Sequence, residues 1–203
     1  LSFLVDKAVL PDRLDYSLTV GDPMVNSALG YVNAGAVHQA ARLISFDRAE
    51  RMLFEKMSRP LAAALGGYLI LLGVDRAAYR DASGRWKNWV SNLDHWFEWL
   101  PDGAILHSAL HVVLGDPQRE EAREALLRAC DRGLPYFTFG LKLLLDGLRH
   151  FAAGGDEEAR RRLPAVEAIA SRCDPSKPFL AIELANRWQH ATEPATRRVP
   201  LDA

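Results

Sequence analysis

From Pro23 onward, apolar residues recur at spacings of three and four, the period of an amphipathic helix, and polar residues fill the positions between them. Before that point the pattern is different. Pro11 interrupts a mixed stretch, and Tyr16-Ser-Leu-Thr-Val20 reads as a short extended arm ahead of Gly21. Asp22 is placed to cap a helix that Pro23 opens, because a proline at the first helical position gives up an N–H that has no partner there. That helix is expected to run to about Leu43. Ser45 can cap a second, from Phe46 to Met57, in which Phe46, Ala49, Leu53 and Met57 share one face. Pro60 restarts the chain as Leu61 to Val74, apolar nearly all round and therefore expected to be buried on most sides.

The same punctuation continues. After the loop Arg80 to Gly84 the pattern predicts helices over 85–100, 104–114, 117–130, 136–153 and 157–172, then a last one from beyond Pro178 to about His190. The breaks are Pro101-Asp102-Gly103, Gly115-Asp116, Gly133-Leu134-Pro135 and Gly154-Gly155, with Asp156 as a cap. The count is about nine helices with short connections, an all-α class. The organisation is an arm over 1–22, a helical-repeat domain over 23–191 and a disordered tail over 192–203.

One motif occurs twice. Pro23 is followed by Gly30-Tyr31, and Pro60 by Gly67-Tyr68, at the same offsets and thirty-seven residues apart. A period of that length predicts stacked helical hairpins. Gly115-Asp116-Pro117 followed by Glu120 to Cys130 and Leu134-Pro135, and Gly155-Asp156-Glu-Glu-Ala-Arg160 followed by Pro175 and Pro178, resemble the second halves of tetratricopeptide repeats. The resemblance implies a right-handed stack of helical hairpins, a tetratricopeptide-like α-solenoid. Such a stack acts by presenting a surface. The segment Trp89 to Ala104 also resembles uncharacterised helical domains near the C-termini of bacterial multidomain proteins, some with caspase-like modules, which implies an accessory domain.

Composition narrows the function classes. With 25 basic and 26 acidic residues the net charge is −1, so no global field draws in nucleic acid or an anionic membrane. The runs Arg160-Arg161-Arg162 and Arg197-Arg198 lack interleaved aromatics and read as solvated faces. Leu61 to Val74 is fourteen residues and too short for a bilayer span. Cys130 and Cys173 show no metal or disulfide spacing and fit reduced thiols of a cytoplasmic protein, and a start at Leu1 suggests a domain of a longer chain. No phosphate loop, nucleophile elbow or catalytic triad stands out, and no cofactor is expected.

Three sets of residues carry candidate chemistry. Trp86, Trp89, Leu93, Trp96 and Leu100, widened by Val90 and Phe97, form a stripe expected to face the core. Trp99 lies off that stripe, so it either packs on the Pro101 turn or anchors a partner, with Asp102 beside it. His107 and His111 are an i, i+4 pair and His95 stands upstream, a set that could ligate a metal and serve a metal-dependent enzyme. Asn26 and Asn33 share one helix face, and Lys142 and Arg149 another, with Asp146 between the latter two. In peptide-binding tetratricopeptide domains such residues hold carboxylates, so the resemblance implies a peptide groove at these four. The expected role is thus non-enzymatic: an interaction or scaffold domain binding a partner peptide or a neighbouring domain. A metal-dependent enzyme and a purely structural oligomerisation unit are the alternatives.

Overall fold

A computed structural model of the chain describes residues 2–6, 15–19, 21–73, 84–115 and 119–182. Ahead of the helices, β1 (Ser2–Asp6) pairs antiparallel with β2 (Asp15–Thr19), Ser2 opposite Thr19 and Asp6 opposite Asp15. The expected extended arm is therefore one strand of a hairpin. Nine α-helices follow among the described residues: α1 (Pro23–Asn33), α2 (Val37–Leu43), α3 (Phe46–Phe54), α4 (Pro60–Gly73), α5 (Arg85–Trp96), α6 (Pro101–Leu114), α7 (Arg119–Arg132), α8 (Thr138–Ala153) and α9 (Glu157–Ala170). A single 3₁₀ turn, Glu55–Met57, extends α3. None of the described helices is long and apolar enough to cross a membrane.

The capping residues do what their types predict. Asp22 Oδ1 accepts from the N–H groups of Met24 and Val25 at 3.0 and 3.3 Å, while Oδ2 pairs with Arg48 at 2.6 Å. Ser45 Oγ accepts from Arg48 N at 3.4 Å, and Asp156 Oδ1 from Ala159 N at 2.7 Å. Two boundaries differ from the pattern. The expected helix 23–43 is split at Gly35, whose φ of 72° ends α1. The expected helix 85–100 stops at Trp96, because Pro101 opens α6 and holds Leu100 extended at φ −104° and ψ 97°.

The pairs α1–α2, α3–α4, α5–α6, α6–α7 and α8–α9 pack as hairpins, α2 also packs on α4, and α4 and α6 lie at the centre. Helix α4 is buried from Ala63 to Leu71, as its uniform apolarity predicts, and α6 from Pro101 to Ser108. Glycine permits a close approach of backbones at Gly103, where an added Cβ would come within 2.7 Å of the Leu93 carbonyl oxygen. Around this centre Trp86, Leu93, Leu100, Leu106, Phe137 and Leu144 are fully buried, each contributing about 1.5–3 kcal/mol of burial free energy.

After α9 the chain does not return to helix within the described residues. Phe179 bridges to Phe137 and Ile182 to Cys173, so 179–182 run extended, and Asn33 Nδ2 donates to the Pro175 carbonyl at 2.7 Å. The first helix therefore meets the last described segment. The expected helix end near His190, the tail from residue 192, the Arg197-Arg198 pair and most of the loop 80–84 lie outside the described residues.

Candidate functional site

The polar centre of the molecule grows from one carboxylate on the inward face of α5. Asp94 is completely buried, and a buried carboxylate must find cations or protonate. Helices α6 and α7 supply them. His107 Nδ1 is 2.8 Å from Asp94 Oδ2, Arg128 Nη2 is 2.6 Å from the same oxygen, and Arg132 Nη1 is 2.7 Å from Oδ1. Arg132 Nη2 also donates to the Asp94 backbone carbonyl at 2.9 Å. Burial favours the neutral acid, but the His107 and Arg128 hydrogen bonds and the two guanidinium charges outweigh it and hold the carboxyl well below the usual range.

His107 has a second face. Its Nε2 lies 3.2 Å from Nε2 of His111 and 3.5 Å from Oε1 of Glu121, whose Oε2 is 3.6 Å from His111 Nε2. The i, i+4 spacing stacks the two imidazoles on one face of α6, and the first turn of α7 brings Glu121 over them. His107 and His111 are buried, whereas the Glu121 side chain is 40% exposed, so the trio opens to solvent on the α7 side. His95 stands apart from it. Its Nδ1 bonds the Ser91 carbonyl at 2.9 Å, and its ring meets His107 edge-on at 5.5 Å.

Among the described residues two triplets bring possible metal ligands together, Asp94 with His95 and His107, and His107 with His111 and Glu121. In the first, the Asp94 oxygens are already engaged by His107, Arg128 and Arg132. The sequence pattern finds the histidine pair and misses Glu121, Arg128 and Arg132. Their spacings of seven and four place all three on one face of α7, and that polar stripe was the available signal.

A second buried carboxylate corrects an expectation. Asp102, anticipated at a partner surface beside Trp99, is fully buried. It accepts from Tyr68 Oη at 2.6 Å and from the Tyr136 backbone N–H at 2.7 Å, tying α4 and the start of α8 to the start of α6. Burial pushes its carboxyl up to about 6 against the pull of these hydrogen bonds. Gly140 is what fits beside it, since an added Cβ would come within 2.5 Å of Tyr68 Oη.

Among the described residues the surface carries an aromatic strip in two parts, one before and one after the end of α5. Phe54 meets Trp89 at 5.4 Å, Lys56 Nζ lies 5.7 Å over Trp89 and 5.1 Å over Trp96, and beyond the α5 end Phe97, Trp99 and Tyr136 follow at 6.2 and 6.0 Å. Lys56 is buried between its rings, which pulls its ammonium below the ordinary lysine range. Phe54, Met57, Trp96, Trp99 and Tyr136 remain exposed, Met57 by 71% and Trp96 by 57%. Trp96 thus leaves the core stripe in which its spacing places it, because α5 ends there. The remaining stripe residues are buried apart from the half-buried Trp89. Trp99 is 51% exposed and borders a groove of about 1090 Å³ floored by Leu29, Leu65 and Phe137 and edged by Arg48 and Arg59.

The polar row expected to bind peptide carboxylates does not form one free face. Asn33 is committed to Pro175, and Arg149 pairs with Glu167 at 2.9 Å, not with Asp146. Asn26 is half-buried and Lys142 exposed. Arg160, Arg161 and Arg162 each lie near acids, respectively Glu157, Glu158 and Asp131. Both cysteines are half-buried free thiols raised by burial.

Among known families, the one described as the Y4kD C-terminal domain matches residues 27–200, most of the chain. No curated protein and no solved structure matches it.

Proposed function

The chain belongs to the Y4kD C-terminal domain family, and we propose that it is a non-enzymatic interaction domain of a larger protein, holding a partner segment against the aromatic strip. The observation that carries this reading is the set of exposed rings on either side of the α5 end, Phe54 and Trp96 before it and Trp99 and Tyr136 after it, with Trp99 bordering the groove. Large aromatics left exposed in a row cost solvation in the free domain and are the residue types that dominate interfaces. The occupant is a segment of a partner protein, or of a neighbouring domain of the same chain, that offers apolar side chains to the groove floor. The mix of Arg48, Arg51 and Arg59 with Asp22, Asp47 and Glu55 along the groove suits a peptide of mixed charge. The succession of hairpins supports the likeness to tetratricopeptide-type scaffolds, with one difference: the contact of α1 with α8 and with residue 175 joins distant parts of the chain.

Affinity capture with the wild-type chain and a Trp96→Ala/Trp99→Ala variant, run side by side, tests the reading. Truncating two such anchors is expected to cost on the order of 2 kcal/mol or more, about thirtyfold in affinity, with the melting temperature nearly unchanged because both side chains are half-exposed. A partner held equally by both chains, or none held by the wild type, would contradict it.

A further inference from the structure

We infer that His107, His111 and Glu121 form a zinc site that clips α6 to α7. A tetrahedral zinc with bonds of about 2.0–2.1 Å spaces its ligand atoms about 3.3–3.4 Å apart. The two imidazole nitrogens are 3.2 Å apart, and the Glu121 carboxylate reaches both, Oε1 at 3.5 Å from His107 and Oε2 at 3.6 Å from His111, so one donor atom from each residue lies within 4.8 Å of the other two. Two imidazoles and a carboxylate are a donor set for zinc, whereas calcium and magnesium take oxygen ligands.

The surroundings match what a bound ion requires. The Asp94 carboxylate, an acceptor 2.8 Å from His107 Nδ1, favours the tautomer protonated there, which turns Nε2 toward His111 and Glu121 as a donor atom for a metal. A carboxylate behind a ligating histidine fixes the ring and raises its basicity. Asp94 is itself immobilised by Arg128 and Arg132, and those guanidiniums balance its charge, leaving Glu121 as the anion that faces the metal. Two nitrogen lone pairs cannot face each other at 3.2 Å without a cation or a proton between them, and the metal takes the place of that proton. Glu121, 40% exposed, places the site at the solvent edge, where an ion can enter. The site involves none of the aromatic-strip side chains, so it stands or falls independently of the docking reading.

The test uses the full 203-residue chain, stripped with chelator and titrated with Zn²⁺ alone, and separately with Co²⁺ as a coloured substitute. One zinc per chain and the intense visible bands of tetrahedral cobalt are expected. Glu121→Gln and His111→Gln each weaken zinc binding by at least about tenfold while the helical circular dichroism is retained, and His150→Ala, an exposed imidazole on α8, leaves binding unchanged. Failure of the wild-type chain to bind zinc, or binding that both ligand variants leave intact, overturns the assignment. Loss on His95→Ala without loss on Glu121→Gln would move the metal to the other triplet and overturn it equally.

Discussion

Asp94 and Asp102 are two buried carboxylates eight residues apart that solve burial in opposite ways. Asp94 is surrounded by cations, and removing it would strand Arg132, whose side chain is only 12% exposed, beside Arg128 and His107. Asp94→Ala is expected to destabilise the chain by about 3–5 kcal/mol in denaturant unfolding, the cost of leaving buried partners unpaired. Among the described residues Asp102 has hydrogen bonds but no cation beside it. Its folded pKa of about 6 lies above the unfolded value, so the folded state binds the extra proton between the two and stability falls as pH rises from about 4 to about 6. The slope is about 1.4 kcal/mol per pH unit. Asn at this position mimics the protonated acid, its amide nitrogen toward Tyr68 Oη and its oxygen toward the Tyr136 N–H. Asp102→Asn should therefore remain folded and flatten that slope in melts across this range, and an unchanged slope would refute the assignment. Neither role is visible in the sequence, where Asp94 lies inside the helix expected over 85–100 and Asp102 in the break at 101–103. Their neighbours, Tyr68, Arg128 and Arg132, are brought in by tertiary packing from at least thirty-four residues away.

At the scale of elements, the duplicated proline and glycine-tyrosine motif shows how far periodicity reads through to structure. Both copies open a helix at the proline, as the local chemistry of that residue demands. Their environments then diverge. Tyr31 is 42% exposed while Tyr68 is 1% exposed and bonded to Asp102; Gly30 has open space, whereas a Cβ added at Gly67 would come within 2.9 Å of Leu106. Alanine substitution should separate positions by these surroundings. Gly30→Ala is expected to stabilise by about 0.5–1 kcal/mol, through helix propensity in free space. Gly103→Ala, which drives a Cβ into the Leu93 carbonyl, should destabilise by about 1–3 kcal/mol in the same thermal melts. Helix starts were legible because a cap or a proline is a local signal. The break at Gly35 was missed because an apolar-periodic run continues on both sides of it, and the end of α5 at Trp96 because a stripe of the right spacing runs on to Leu100. The misplacement of Trp96 follows from that boundary, and with it the extent of the aromatic strip.

For the whole molecule, the helical class was evident from the period of apolar positions, and the contact of α1 with α8 was not, since nothing local marks a bond from Asn33 to Pro175. Trp99 was legible as an outlier from its stripe. Phe54, Met57 and Tyr136 were not, because each lies on a different element and only the fold lines them up. The molecule combines a buried ionic centre that joins α5, α6 and α7 with a surface of exposed aromatics that is proposed to meet a partner. The most direct check of that surface is hydroxyl-radical footprinting of the chain alone and in the complex it captures. Strong oxidation of Met57, Trp96 and Trp99 is expected in the free chain and at least about tenfold protection of all three in the complex, with the buried Trp86 unreactive in both. Equal oxidation of the three exposed residues in the free and bound states would contradict the proposed contact.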